Sequence, residues 1–294
     1  MSTSRLTHRL PLLAVAALLA GGSVALATPA HAVPGMTTRQ VTSLQDSTAE
    51  KVVRVTCPAG TSAIGGSAVV GGTTAVRVNT EVPDPTGYTV LARERRGGTS
   101  ENWSVVVTAQ CARTSSLPGL EYRRTTTTFD SASRHSASAA CSPGKKLIGL
   151  GGLIDSNGPG QDKLVLAAVR PSDNLTGVVV TGVEDEDGYT GSWRSTAVAV
   201  CTNPVPGLHL ATGTTTVDST GFKRAVAVCA SGTKIHSGGF DIGSAVGQAN
   251  LTASFLDVDV NSDPTRHGFE AQAREDRTGF TGSWRLATYA ICAN

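Results

Sequence analysis

The sequence predicts an all-β fold built from three copies of one segment. Each copy begins at a hydrophobic-Pro-Gly tripeptide, and an Asp-Ser pair, a cysteine, a tryptophan and a second cysteine follow in the same order. Glycine, threonine, valine, alanine and serine are abundant, and no long stretch has the periodicity of an amphipathic helix. Because similarity at a fixed period indicates a repeated structural unit, most of these shared residues are expected to serve the architecture.

The boundaries of the copies follow from the repeat pattern and from the N-terminal segment. Residues 1–32 contain a basic start, an apolar run and a small-x-small motif, which together predict a secretory signal cleaved after Ala32. The three β-repeats then occupy residues 33–116, 117–204 and 205–294. The protein is therefore predicted to be secreted and extracellular, without attachment to a membrane.

The net charge argues against two classes of partner. The chain has 25 Lys and Arg residues against 23 Asp and Glu residues, but Arg5 and Arg9 lie in the predicted signal, which leaves a formally neutral mature chain. Such a chain lacks the basic surface that nucleic-acid binding requires and that attachment to anionic membranes requires. Neither nucleic acid nor a membrane is predicted as a partner, and the oligomeric state is left open.

The six cysteines, two in each copy, predict disulfide bonds, because an even number in an exported protein indicates a disulfide framework. Only two pairing schemes treat the copies alike. The first pairs cysteines within each copy: Cys57–Cys111, Cys141–Cys201 and Cys229–Cys292. The second links neighbouring copies: Cys111–Cys141, Cys201–Cys229 and Cys57–Cys292. We favour the first scheme, because each copy then holds itself together.

The segment from the tryptophan to the second cysteine is the clearest strand of each copy. Side chains alternate along a strand, so the tryptophan, the cysteine eight residues later and the alanine two residues before that cysteine share one face. This pattern predicts that the tryptophans pack in the core beside the disulfides rather than stack against sugars. The tryptophans are Trp103, Trp193 and Trp284.

Glycines and glutamates mark further shared positions. A glycine three residues after the first cysteine predicts a turn with positive φ, and a second glycine group soon after it predicts a bulge or a close approach of two backbones. Glu94, Glu184 and Glu275 each precede a tryptophan by nine residues. Catalytic carboxylates occur as unlike pairs, whereas these three are equivalent, so we interpret them as structural ion-pair or hydrogen-bond partners.

The copies follow one another closely. Six residues separate Cys111 from Pro118, and four separate Cys201 from Pro206. Two arrangements fit: one pseudo-threefold body of three disulfide-clipped repeats, or three small β-sandwich domains in tandem. The short joins and the 13 aromatic residues favour one body, because a shared core buries more apolar surface than three small cores.

Two resemblances rest on these residues. The pattern Cys-Pro-x-Gly, Gly-Gly, Trp and Ala-x-Cys resembles repeats in uncharacterised secreted proteins of actinobacteria. The turn from Cys57 to Gly60, within three disulfide-containing β-repeats, also resembles vitelline membrane outer layer protein I. That second resemblance implies a β-prism, in which three sheets surround a pseudo-threefold axis. Neither resemblance implies a functional residue.

Two pairs of residues are candidates for a site. Tyr189 and Phe280 lie in a hairpin loop before the tryptophan, where exposed aromatic rings could bind a ligand. Asp185 and Asp187 form an acidic turn with oxygen ligands suited to Ca²⁺. The turn lacks the later ligands of an EF-hand, so we interpret it as a solvated loop, and no cofactor is predicted.

The sequence contains no catalytic motif that would assign an enzymatic activity. The match Ser231-Gly-Thr-Lys234 lies in the repeated turn after a cysteine, and no histidine occupies an equivalent place in all copies. We therefore expect a non-enzymatic protein that recognises carbohydrate or a cell-envelope polymer through its loops. The alternatives are a secreted hydrolase, a protease inhibitor and a structural coat protein.

Overall fold

The computed structural model describes residue 33, residues 35–256 and residues 267–294. This part of the chain is all-β, as the sequence predicts. It contains no α-helix and only two short 3-10 turns, Thr114–Ser116 and Gln161–Lys163. Accordingly, no helix in the described ranges is long and apolar enough to cross a membrane. The predicted signal and its cleavage site at Ala32 lie outside the described residues.

Each copy contributes six of the strands found in the described residues. In the first copy they are β1 (Thr37–Thr42), β2 (Glu50–Thr56), β3 (Thr61–Gly71), β4 (Val76–Asp84), β5 (Gly87–Glu94) and β6 (Ser104–Arg113). In the second they are β7 (Glu121–Thr126), β8 (Arg134–Ala140), β9 (Lys146–Ser156), β10 (Leu164–Pro171), β11 (Gly177–Glu184) and β12 (Trp193–Thr202). In the third they are β13 (His209–Thr214), β14 (Phe222–Val228), β15 (Lys234–Asp241), β16 (Ala249–Leu256), β17 (Gly268–Glu275) and β18 (Ala287–Ala293).

The strands form three six-stranded antiparallel sheets, and each sheet combines half of one copy with half of another. The strand orders are β1-β6-β3-β16-β17-β14, β2-β5-β4-β9-β12-β7 and β13-β18-β15-β10-β11-β8. The junctions between copies are short and lie at Val69–Ala253, at Thr80–Leu153 with Glu81–Gly152, and at Ala168–Asp241 with Val169–Phe240. The junctions link the three copies in a closed ring, which favours one body over tandem sandwiches. The β-prism itself stays a prediction.

The core is shared by the copies. One continuous cluster of buried side chains includes Val90 from the first copy, Leu166 from the second and Phe269 from the third. All three tryptophans are fully buried, as are the second cysteine of each copy and the alanine two residues before it. Burial also alternates along β2 and β8, which precede the first cysteines. The predicted core face of these strands is thus confirmed.

The disulfides follow the first pairing scheme, with bonds Cys57–Cys111, Cys141–Cys201 and Cys229–Cys292. The first cysteine of each pair comes directly after a strand of one sheet, and the second lies in a strand of another sheet. Each bridge therefore fastens the two halves of a copy that separate into different sheets. With loops of 54 to 63 residues, each bridge stabilises the fold by ~4 kcal/mol on the chain-entropy model. Such bridges are typical of an oxidising, extracellular environment.

The glycines act as predicted. Gly60, Gly144 and Gly232, each three residues after a first cysteine, all have positive φ. Gly149 shows the close backbone approach, because a Cβ atom there would overlap the carbonyl oxygen of Ile64. The register of β3, β9 and β15 also shifts beside the glycine group, so that each strand has a bulge. The bulged residues are Ile64, Ile148 and His236.

Candidate functional site

Each buried tryptophan has the repeated glutamate as its hydrogen-bond partner. The indole Nε1 donates to Oε1 of the glutamate nine residues earlier, at 3.3 Å for Trp103–Glu94, 3.2 Å for Trp193–Glu184 and 2.7 Å for Trp284–Glu275. A buried indole N–H needs such an acceptor, since an unpaired buried donor costs about 1–3 kcal/mol. The expected structural hydrogen bond is confirmed for all three glutamates.

A cation or an imidazole contacts the ring of each tryptophan. The Nζ atoms of Lys51 and Lys223 lie 4.7 Å from the Trp103 ring centroid and 5.1 Å from the Trp284 ring centroid. In the second copy, His135 takes this place and meets Trp193 edge-on, with ring centroids 4.4 Å apart. Cation–π attraction accounts for the lysines. We call each tryptophan with its glutamate and its lysine or histidine a tryptophan site.

The aspartate of each Asp-Ser pair closes the tryptophan site. The backbones of Asp46, Asp130 and Asp218 each bridge the backbone of a tryptophan. The hydrogen bond from the Lys51 ammonium is the main reason that the pKa of Asp46 falls to about 2. Lys223 contacts Asp218 in the same way, with Nζ 2.5 Å from Oδ1. In the first and third copies, these contacts therefore tie the aspartate to the lysine and to the backbone of the tryptophan.

Tyr189 is not the exposed loop aromatic that the sequence suggested. It is only 4% exposed and packs with Leu164 and Trp193. Its hydroxyl donates a hydrogen bond to the carbonyl oxygen of Asn157. The ring is buried because the loop of residues 157–160 and Gly191 close over it. Phe280 is half-buried and packs against the main core. These contacts fasten the hairpin loop to the body.

The three hairpin loops after the repeated glutamates contact one another. Arg96 of the first copy forms an ion pair with Asp187 of the second. Thr278 of the third copy donates a hydrogen bond of 2.7 Å to Glu186 of the second. Arg95 of the first donates at 3.1 Å to the backbone carbonyl of Glu275 in the third. The loops occupy equivalent places in their copies, yet their side chains differ, and the differences allow each loop to bind its neighbours.

A pocket of about 650 Å³ lies where these loops meet, and we call it the loop-end pocket. Its arginines are Arg77, Arg95, Arg96, Arg274 and Arg277. Its acidic residues are Asp185, Glu186, Asp187, Glu275 and Asp276. Phe222 adds a ring that is 37% exposed, and the Arg274 guanidinium lies 4.9 Å from its centroid. The pocket thus combines charged groups of both signs with one aromatic surface.

Arg77 is the most unusual residue of the loop-end pocket. It lies on β4, is 2% exposed, and its Nη1 donates to Oδ1 of Asn250 at 2.9 Å. Its Nε and Nη2 have no hydrogen-bond partner among the described residues. Burial lowers the pKa of Arg77 to about 10, and attraction from Asp185 opposes this effect. The guanidinium is therefore still charged at neutral pH.

The pocket brings together Asp185 and Asp187, the two acids that were candidates for Ca²⁺. Oδ1 of Asp185 accepts the backbone N–H of Asp187 at 3.1 Å, and the carboxylate of Asp187 pairs with Arg96. Burial raises the pKa of Asp185 to about 6, although Arg77 lowers it. In the described part of the chain, no three His, Cys, Asp or Glu side chains are grouped so as to hold a metal ion.

A second polar contact lies along the same strand as Arg77. Glu81 is buried, and the hydroxyl of Ser254 donates to it at 2.6 Å. Burial raises the pKa of Glu81 to about 7, and this hydrogen bond only partly opposes the rise. The contact crosses the junction between the first and third copies, so a titrating carboxyl group lies inside the shared core.

Sequence reasoning did not identify Arg77, Arg95 or Phe222. For Arg95 and Phe222 a signal exists in the comparison of the copies. The residue after the repeated glutamate is Arg95, Asp185 or Asp276, so this position differs in charge between copies. Strand pairing places Arg77 at the position equivalent to Val165 and Asn250. This equivalence depends on where the bulges fall, and therefore on the structure. Phe222 lies seven residues before the first cysteine of its copy, where the other copies have Glu50 and Arg134, so the same comparison marks it.

Comparison with models of known protein families gives no match for this chain, and comparison with curated proteins gives none either.

Proposed function

We propose that the protein is a secreted, non-catalytic binding protein that recognises a carbohydrate or cell-envelope polymer through the loop-end pocket. One observation carries this proposal. The pocket lies where the loops of all three copies meet, and apart from the repeated Glu275 its charged side chains stand at positions that are not the same in all three copies. The tryptophan sites account for the polar residues that the copies share. A scaffold alone does not require the copies to differ at the pocket positions.

The composition of the loop-end pocket suits a sugar. Its volume of about 650 Å³ is within the usual range of small-molecule sites. The guanidinium and carboxylate groups can exchange hydrogen bonds with hydroxyls, and the exposed ring of Phe222 can pack against the apolar face of a sugar ring. The three disulfides agree with action outside the cell, where such polymers occur.

The test is a binding assay with the full mature chain, residues 33–294, on a glycan array and on insoluble cell-wall preparations. We expect retention on at least one polymer and at least about tenfold weaker retention for Arg95→Ala, which removes a pocket cation. Arg123→Ala is the matched control, because Arg123 is an exposed arginine of β7 outside the pocket. Failure to bind any polymer in either format would exclude the proposal.

Glycoside hydrolysis is a second candidate, and one observation favours it. Burial raises the pKa of Asp185, while burial of the adjacent Glu186 is outweighed by hydrogen bonds from Thr278 and other groups that lower its pKa. Carboxyl groups with separated pKa values are typical of glycosidases. Binding is preferred because Glu186 is engaged in a contact between copies. Release of reducing ends from the retained polymer, abolished by Asp185→Asn, would establish hydrolysis instead.

A further inference from the structure

Among the described residues, one complete edge of the Arg77 guanidinium has no hydrogen-bond partner. In the part of the chain that the structure describes, Nη1 is the one nitrogen with an acceptor, the side chain of Asn250. Nε and Nη2, which lack a partner within the described residues, lie on the same side of the planar group. Their two parallel N–H bonds form the fork that matches the two oxygens of a carboxylate. Nδ2 of Asn250 likewise has no acceptor in the described part of the chain.

The scaffold does not require an arginine at this position. Val165 occupies the equivalent place in the second copy and Asn250 in the third. Both residues fit the equivalent bulged strand of their own copy, and Val165 is buried, with 1% of its surface exposed. A buried charge without a counter-ion destabilises a fold unless another group compensates it. Arg77 therefore costs stability that a valine would not, and a bound anion would offset that cost.

No acid of the pocket neutralises Arg77 directly. Asp185 and Asp162 attract it without an ion-pair contact, and Arg95 and Arg93 repel it. The other nearby carboxylates are engaged elsewhere. Asp187 pairs with Arg96, Glu186 accepts from Thr278, and Glu275 accepts from the indole of Trp284. The acids balance the formal charge of the pocket, but no carboxylate of the described residues contacts the unpaired edge of Arg77.

We propose that Arg77 binds the carboxylate of an acidic sugar, so that the ligand of the loop-end pocket is a uronate-containing polysaccharide. This inference rests on the proposed function and specifies its substrate class. Nε and Nη2 of Arg77 have almost no accessible surface in the unliganded protein, so side chains lining the pocket must shift for the carboxylate to accept from them. Phe222 with its neighbour Arg274 offers a flat surface for the sugar ring. A neutral polymer would leave the buried fork unpaired, and the site would discriminate against it.

The first test observes Arg77 itself. The mature chain is labelled with ¹⁵N-arginine, and the side-chain Nε–Hε signal of Arg77, assigned by its loss in Arg77→Lys, is followed during titration with sodium glucuronate. We expect a saturable shift of this signal with glucuronate and none with glucose. Absence of a shift, or an equal shift with glucose, would mean that solvent satisfies the fork and would overturn the inference. A preference for glycerol 3-phosphate over glucuronate would overturn the assignment to a carboxylate.

The second test compares variants on polyglucuronate and polygalacturonate. Arg77→Val copies the residue of the second copy and is expected to fold, with at least about tenfold weaker binding. Arg77→Lys keeps the charge but loses the two parallel N–H groups. We expect its binding free energy to recover less than about half of the difference between Arg77→Val and the unmodified protein. Arg123→Ala should bind as the unmodified protein does. Equal binding by Arg77→Val and the unmodified protein would overturn the inference.

The two proposals fail in distinguishable ways. If the protein is retained on neutral polymers and Arg77→Val is retained equally well, the proposed polymer recognition is supported and the role of Arg77 is excluded. Retention on no polymer excludes the proposed function, and the titration with monomeric glucuronate then still reports whether Arg77 binds a carboxylate. Thermal unfolding of each variant, measured in parallel, shows whether a loss of binding reflects a loss of folding.

Discussion

The tryptophan sites and the loop-end pocket differ in how they use the three copies. Each tryptophan site repeats the same contacts, with an indole, a glutamate and a lysine or histidine in equivalent places. The loop-end pocket also draws on equivalent positions, but it places an arginine, an aspartate and another aspartate after the same glutamate. Repeated residues thus account for the architecture, and departures from the repeat mark the candidate site.

The largest effect should come from removing a tryptophan. Trp284→Ala leaves a cavity in the core and unpairs the carboxylate of Glu275, so we expect a loss of about 3–5 kcal/mol in the free energy of unfolding. Urea denaturation followed by circular dichroism measures this loss. Phe222→Ala, at the exposed pocket ring, serves as the comparison and should cost less than about 1 kcal/mol. Similar losses in the two variants would contradict the division between core and pocket.

A smaller effect should come from Glu81, whose carboxyl group lies in the shared core. Its pKa is raised to about 7 in the folded protein, so the folded state binds a proton that the unfolded state releases above its ordinary pKa of 4.5. Stability from this group is therefore greatest below pH 4.5 and falls, by up to about 3 kcal/mol, as pH rises to 7.

The measurement for Glu81 compares urea unfolding of the unmodified protein and Glu81→Gln between pH 4.5 and 7.5. The side-chain amide introduced by this substitution can still accept the hydrogen bond from Ser254 but cannot ionise. The difference in stability between the two proteins should shift in favour of the variant as pH rises. A difference that does not change with pH would show that Glu81 ionises at its ordinary pKa.

His236 differs from the residue at the equivalent position of the other two copies, and it lies outside the loop-end pocket. Its ring is fully buried, and neither nitrogen has a hydrogen-bond partner in the described ranges, whereas the equivalent bulges hold Ile64 and Ile148. We expect His236→Ile to stabilise the protein by about 1–2 kcal/mol at pH 7.5, because it removes unpaired polar atoms.

The gain for His236→Ile should increase as pH falls. Burial lowers the pKa of His236 to about 4, so the unfolded state takes up a proton below about pH 6.5 that the folded state does not bind. Thermal or urea unfolding at pH 5 and pH 7.5 measures the change. A destabilised variant would show that the imidazole makes a contact that isoleucine cannot replace.

The smallest effect concerns Asp185 and the affinity of the pocket for a uronate. Asp185 is close to Arg77, Lys163, Glu186 and Asp162, and its pKa is about 6. Protonation below this pH removes a negative charge near Arg77, so affinity for glucuronate should rise about threefold between pH 7.5 and pH 5. Asp185→Asn should bind with the higher affinity at both values. Calorimetric titration measures the affinity for glucuronate at each pH. If the affinity of Asp185→Asn depends on pH as that of the unmodified protein does, Asp185 is excluded as the cause.

Much of the fold follows from the sequence because local spacing determines which face of a strand a residue occupies. The eight-residue interval from tryptophan to cysteine predicts the buried face, and the glycines after the first cysteines predict the turns. Less of the candidate site could be predicted from the sequence. Asp185 and Asp187 were named, but Arg96, which pairs with Asp187, and Arg77, which lowers the pKa of Asp185, come from another copy. Tyr189 was wrongly expected to be exposed.

The sequence by itself determined the three-copy organisation, the strand faces and the favoured cysteine pairs, because these depend on intervals within one copy. The tertiary structure decided that each copy divides between two sheets and that the loops of all copies meet in one pocket. It also decided that, among the residues described, one edge of the Arg77 guanidinium has no hydrogen-bond partner. These features depend on contacts between residues about 90 to 180 positions apart. No periodic pattern encodes such contacts, because they arise only when the separate halves pack around a common core.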